Sequence, residues 1–210
     1  MKKIFTLFAL LVLSIGAQAQ TYVPGERVST IEENTQYFIF NTTYTPGSSY
    51  DKRWGFVYFD GEVKTYAGAV PEDFTTTDKN YLFTVSNNGD DTWTLTSVGQ
   101  EMEVGSTFTF TPWMEADEGI KGNAQIRNDD GTFTENADIT EDNKVWVISN
   151  GEGDRPYWNG NNWTTVGANS FALWSNAHPY AIYTVIVKET VTVLYNLYDP
   201  DLMKIGRAHV

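Results

Sequence analysis

Cysteine does not occur in this 210-residue chain, and histidine occurs only twice. The first absence removes disulfides, thiolate metal sites, cysteine nucleophiles and lipid attachment through a thiol. Stability therefore has to come from a packed core. The second leaves too few ligands for a zinc centre of the Cys/His kind. His178 is the one histidine inside the body of the chain, in the turn-like stretch Asn176-Ala177-His178-Pro179. A histidine beside proline reads as a loop residue sooner than as a general base, and no Gly-x-Ser-x-Gly elbow marks a serine nucleophile. Positive charge is also short: 14 Lys and Arg stand against 27 Asp and Glu, for a net charge of -13. A surface of that sign repels phosphate backbones and anionic headgroups, so nucleic acid and membrane lipid are poor partners. No motif implies a cofactor or a resident metal.

Long apolar runs are absent except at the start. Ile4 to Ile15 (IFTLFALLVLSI) follows Lys2-Lys3 and precedes Gly16-Ala17-Gln18-Ala19. A positive start, a short apolar run and a small-x-small site predict a signal peptide over residues 1–19. The run is too short to span a bilayer as a helix, which takes about 20 residues. The expected destination is outside the cytoplasm: periplasm, outer surface or extracellular medium, with no membrane insertion after cleavage. At the other end, residues 189–204 (ETVTVLYNLYDPDLMK) predict the first strand of a second β-domain. Residues 205–210 (IGRAHV) match the translation of a common sequencing adapter, so they are expected to be an artefact of a read that continues in a longer gene.

Aromatics are plentiful at 15% of the chain, within 41% apolar residues. That burial potential is too high for a solvated acidic coil. From Gln36 onward the pattern is short runs rich in Val, Ile, Thr, Phe, Tyr and Trp, separated by Asn, Asp, Gly and Thr. Such runs suit a half-buried pleated surface. Expected strands are QYFIFN (36–41), GFVYFD (55–60), EVKTY (62–66), NYLFTVS (80–86), DTWTLTS (91–97), EMEV (101–104) and TFTFT (107–111). They continue with AQIR (124–127), KVWVIS (144–149), SFALW (170–174) and YAIYTVIVK (180–188). Residues 21–34 read as a lead-in that Pro24-Gly25 breaks. Asp60-Gly61, Asn88-Gly89-Asp90 and Asp130-Gly131 are expected to close hairpins. No stretch after the signal peptide carries a 3.6-residue apolar period, so helix is expected to be scarce.

A weak repeat runs through these strands. YFIFN (37–41), WTLTS (93–97) and WVISN (146–150) each place an aromatic before alternating apolar positions and a small polar stop. Each is followed by an aromatic-first run: YLF (81–83), FTF (108–110) and FAL (171–173). Threefold repetition of strand sets predicts an all-β fold of β-trefoil type over residues 20–188, with a β-sandwich as the alternative. In this pattern the chain resembles the β-trefoil-like, ricin-type-lectin-shaped domains of exported Bacteroidetes proteins. The resemblance implies a lectin-like binding module. It carries over no sugar-contacting residue, because Gln36, Gln100 and Gln125 lead to Phe38, Met102 and Arg127 where that family has Gln-x-Trp.

The segment GDRPYWNGNNWTTVGANSFALW (153–174) holds the candidate site. Tyr157, Trp158 and Trp163 lie among Asp154, Arg155, Asn159, Asn161 and Asn162. Sugars present flat C–H faces ringed by hydroxyls, which indoles cover and amides or carboxylates bond at the rim. Each ring contact is worth about 1 kcal/mol, so a two-ring site would bind a glycan at about millimolar strength. Trp158 is expected to be the exposed ring, since polar residues surround it. Glycosidase chemistry would need two spaced carboxylates, for which Glu115, Asp117 and Glu118 are the densest cluster, read here as a solvated loop. The acidic stretches 88–91 and 129–131 are read as hairpin turns rather than calcium loops. The sequence thus points to an exported, non-catalytic module that binds carbohydrate, with a structural or protein-interaction spacer and a glycoside hydrolase fragment as the alternatives.

Overall fold

The computed structural model describes residues 20–44, 54–61, 63–66, 69–116, 125–150, 155–158, 163–166 and 179–188. The strands are β1 (Thr21–Arg27), β2 (Gln36–Asn41), β3 (Thr43–Tyr44), β4 (Gly55–Phe59), β5 (Val63–Tyr66), β6 (Phe83–Asn87) and β7 (Trp93–Ser97). They continue with β8 (Met102–Pro112), β9 (Gln125–Arg127), β10 (Phe133–Thr134), β11 (Val145–Asn150), β12 (Arg155–Trp158), β13 (Trp163–Val166) and β14 (Pro179–Lys188). Helix is confined, among the described residues, to single 3-10 turns such as Pro71–Asp73 and Trp113–Glu115. The chain is all-β.

One large antiparallel sheet carries the core, and it closes on itself. β2 pairs with β6, β6 with β7, β7 with β8, β8 with β11, β11 with β14, and β14 returns to β2 through Tyr183↔Phe38 and Ile182↔Ile39. A ring of strands has no open edge within it. Strand β14 makes this possible by its length. Its first half serves β11 and β2, and its second half pairs with β1. Strands β4 and β5 extend the sheet from β2 as a hairpin. Strands β3, β9 and β10 form a separate three-stranded sheet, and β12 with β13 a two-stranded ribbon.

Period-2 alternation explains where the core lies. On β2, Tyr37 and Ile39 join one buried cluster, with Phe83, Val85, Leu95, Phe108, Ile148, Tyr180 and Ile182. Phe38 and Phe40, the alternating positions, join a second cluster with Tyr22, Phe56, Leu82 and Tyr183. On β11, Trp146 and Ile148 face the first cluster, whereas Val145 and Val147 meet Trp113, Ile126 and Ile139 in a third. Strands buried on both faces read as continuous apolar runs, which is why QYFIFN and KVWVIS carry no polar face. β7 is buried on one side only: Leu95 is in the core with Trp93 packed against it, and the threonines alternate outward. Each fully buried aromatic contributes about 1.5–3 kcal/mol, so the aromatic excess accounts for a core with no disulfide.

The structure differs from the sequence expectations at several places in this frame. The expected strand 80–86 begins only at Phe83, because Lys79–Tyr81 form a 3-10 turn that Asp78 caps. Residues 21–27 form a strand, not a lead-in, because Pro24 lies at an irregularity in the β1–β14 register, where a missing N–H does no harm. Segments 101–104 and 107–111 belong to one strand, β8, which continues through Gly105 at φ +52° beside a register shift against β7. The expected strand 170–174 and the expected strand at the start of residues 189–204 lie outside the described residues.

Candidate binding site

The candidate segment forms a hairpin ribbon. Arg155–Trp158 pairs antiparallel with Trp163–Val166, where Thr164, Thr165 and Val166 supply the branched residues that favour a strand. The register sets Trp158 directly opposite Trp163, Tyr157 opposite Thr164, and Arg155 opposite Val166. Opposed positions in an antiparallel ladder share one face, and neighbours alternate. Positions 158 and 163 therefore share one face of the ribbon, and position 157 belongs to the other. The ribbon runs beside β5 and β11. Asp154, Asn159 and Asn161 lie outside the described residues, so the structure brings together four of the seven expected site residues, at the level of backbone register.

The tryptophans with described side chains are otherwise engaged. Trp113 and Trp146 are buried, and the Trp146 indole donates from Nε1 to the carbonyl of Val28 at 3.0 Å. Trp93 meets Phe110 edge-on. Trp54 carries the Arg127 guanidinium 3.8 Å from its ring centroid, and Phe133 flanks the same guanidinium at 4.7 Å. Glu115 is exposed at the end of a 3-10 turn, beside a cavity of about 250 Å³ lined also by Glu141, Lys144 and Trp146. Asp117 and Glu118 lie outside the described residues.

The two acidic stretches fold as twin turns built on Asn-x-Asp-x-Thr-aromatic-Thr. In residues 88–94 and again in 128–134, the first Asn N–H bonds the Thr carbonyl (Asn88 to Thr92 at 2.9 Å, Asn128 to Thr132 at 2.8 Å). Asp90 Oδ1 accepts the Thr92 hydroxyl at 2.5 Å and its N–H at 3.2 Å; Asp130 Oδ1 accepts the same groups of Thr132 at 2.6 and 2.9 Å. Those hydroxyl bonds, reinforced by the N–H, hold both carboxyls below the ordinary aspartate value. The side chains serve as turn closures. No group of three or more His, Asp or Glu suited to a metal is present among the described residues.

Sequence reasoning missed a polar clasp outside the ribbon. Arg27 Nε donates to Asp129 Oδ1 at 2.8 Å and to the Tyr183 hydroxyl at 3.0 Å, and Tyr183 donates to the same Oδ1 at 2.6 Å. Arg27 Nη1 reaches the Asn143 carbonyl at 2.9 Å. Burial drives the Tyr183 phenol far above its ordinary value, with Arg27 pulling it down and Asp129 pushing it up. These residues come from β1, the second twin turn and β14, and nothing local in the sequence links them. The twin turns did carry a signal, the shared Asn-x-Asp-x-Thr-aromatic-Thr spacing.

No family model matches this chain, and neither a curated protein nor a solved structure matches it. Among the described residues, no helix is long and apolar enough to cross a membrane.

Proposed function

We propose that this chain is a non-catalytic, carbohydrate-binding module of an exported protein, displaying an aromatic ribbon on a closed β-scaffold. The observation that carries the reading is the register of β12 and β13, with Trp158 opposed to Trp163. Indoles at opposed positions suit the C–H face of a sugar ring, and the neighbouring sequence (Asp154, Arg155, Asn159, Asn161) is of the residue types that bond a sugar's hydroxyls. The scaffold suits display, since the ribbon runs beside β11, a strand whose side chains are fixed in the core.

On this reading the fold is trefoil-like and belongs with the exported ricin-type-lectin-shaped domains the sequence resembles. Hairpin β4–β5 falls between ring strands β2 and β6, and hairpin β12–β13 between β11 and β14. The threefold pattern is imperfect. Hairpin β9–β10 falls between β8 and β11, while β7 and β8 are joined by a tight turn at residues 98–101.

A glycan array on the chain from Gln20 onward, followed by calorimetry with the best ligand, tests the proposal. Trp158→Ala and Trp163→Ala should each weaken binding about fivefold with an unchanged circular dichroism spectrum. Undiminished affinity in both variants would remove the ribbon as the site. Absence of binding to any glycan, with no change in tryptophan fluorescence, would favour a structural spacer.

A further inference from the structure

A cleft of about 650 Å³ lies between β1 and the turn Pro71–Asp73, within the range of roughly 300–1,000 Å³ typical of small-molecule sites. Its apolar wall includes Pro24, Phe74, Tyr183 and Ile186. Its rim is acidic: Glu72, Asp73 and Asp129 line it, and among the described residues Lys188 is the one base that does so. The wall is tightly set at Gly25, where a Cβ would sit 2.3 Å from Thr184 Oγ1 and 3.2 Å from Ile186 Cγ1. Only glycine lets β1 approach β14 so closely.

One rim carboxylate is fixed in advance. Asp129 accepts from Arg27 and Tyr183 entirely through Oδ1, and among the described residues no donor reaches Oδ2. A carboxylate already held at one oxygen gives up little rotamer freedom when a ligand takes the other. Carboxylates above apolar walls focus negative potential into the cleft; Asp129 is paired with Arg27, so Glu72 and Asp73 carry most of that field. A neutral polyol would gain hydrogen bonds there but nothing from the field, and an anion would be repelled.

We infer that this cleft binds a small organic cation, an ammonium or guanidinium group on a short apolar stem, independently of the ribbon. The test is a titration of the isotopically labelled chain at low salt with 1,4-diaminobutane and, in parallel, with its neutral counterpart 1,4-butanediol. The diamine should give saturable shifts at the amides of Gly25, Glu72 and Thr75, and the diol none. Glu72→Gln combined with Asp73→Asn alters two exposed side chains outside the clasp and should weaken diamine binding about fivefold. Asp129→Asn should weaken it as well, with folding read from the same spectra, and Trp158→Ala should leave it unchanged. Equal shifts from the diol, shifts scattered over the whole acidic surface, or unaltered binding by the Glu72/Asp73 double variant would each overturn the inference.

Discussion

Arg27 and Asp129 stand 102 positions apart in the chain, and Arg27 Nε donates to Asp129 Oδ1 at 2.8 Å. With Tyr183 closing the triangle and Asn143 capping Nη1, this clasp joins β1 to β14, to the second twin turn and to the 141–143 turn. Arg27→Met keeps the aliphatic stem and deletes every donor. The Arg27 side chain is 10% exposed and Asp129 39% exposed, so water recovers only part of what is lost. Urea unfolding should show a loss of about 1–3 kcal/mol with an unchanged m-value. A change under about 0.5 kcal/mol, the scale of ordinary surface substitutions, would show that the clasp does not hold β1 in place.

The twin turns make a pH prediction with a definite sign. Asp90 and Asp130 both lie below the ordinary value of 3.8, first because the Thr92 and Thr132 hydroxyls bond them and then because the same threonines' N–H groups do. A folded-state value lowered below the unfolded one stabilises the native state above about pH 4, and that contribution fades as pH falls through the lowered value. Carbon-detected carboxyl titration should show Thr92→Val raising the Asp90 value toward 3.8 and leaving Asp130 where it was. Thr132→Val should do the reverse. If neither value moves, the hydroxyls are not the cause.

How much of this architecture the sequence makes legible follows from how local each feature is. Strand β2 was readable to the residue as 36–41, because four consecutive strand formers, Tyr37 to Phe40, stand between Gln36 and Asn41. The turns at 60–61, 88–90 and 130–131 were readable because Asn, Asp and Gly tolerate the positive φ seen at Gly61, Gly89 and Gly131. Strand β1 was not, since Pro24 and Gly25 break strands generally and become acceptable only when β14 is present to define a bulge. Ring closure was not legible either. It depends on Tyr183 meeting Phe38, a pairing that no local periodicity encodes. In the candidate site, aromatic composition pointed to 153–174, and the backbone adds the one relation composition cannot give, the opposition of Trp158 and Trp163.

Gly99, in the β7–β8 turn, sits against the backbone of Asn80. A Cβ there would lie 2.6 Å from the Asn80 nitrogen and 2.9 Å from its Cα. Neither atom belongs to a flexible side-chain end, so the 3-10 turn Lys79–Tyr81 or the β7–β8 turn has to shift. Gly99→Ala should cost about 1–3 kcal/mol, as overpacking does, and should perturb the Asn80 amide resonance most. A neutral substitution would place the two turns farther apart than the structure has them.

Strand β2 offers the sharpest test of a sheet buried on both faces. Ile39 is 3% exposed in the cluster with Phe83 and Ile182, while its neighbour Phe40 is fully buried in the other cluster. Phe40 packs edge-on to Phe56 at 4.9 Å and to Tyr183 at 6.4 Å between centroids. In an open sheet covered on one side, one of two adjacent residues would face water, and truncating it would cost little. Burial on both faces makes both costly: Ile39→Ala and Phe40→Ala should each lose about 2–5 kcal/mol. Their effects should be close to additive, because the two side chains point into separate clusters. A loss below about 1 kcal/mol at either position would mean that β2 has a solvated face.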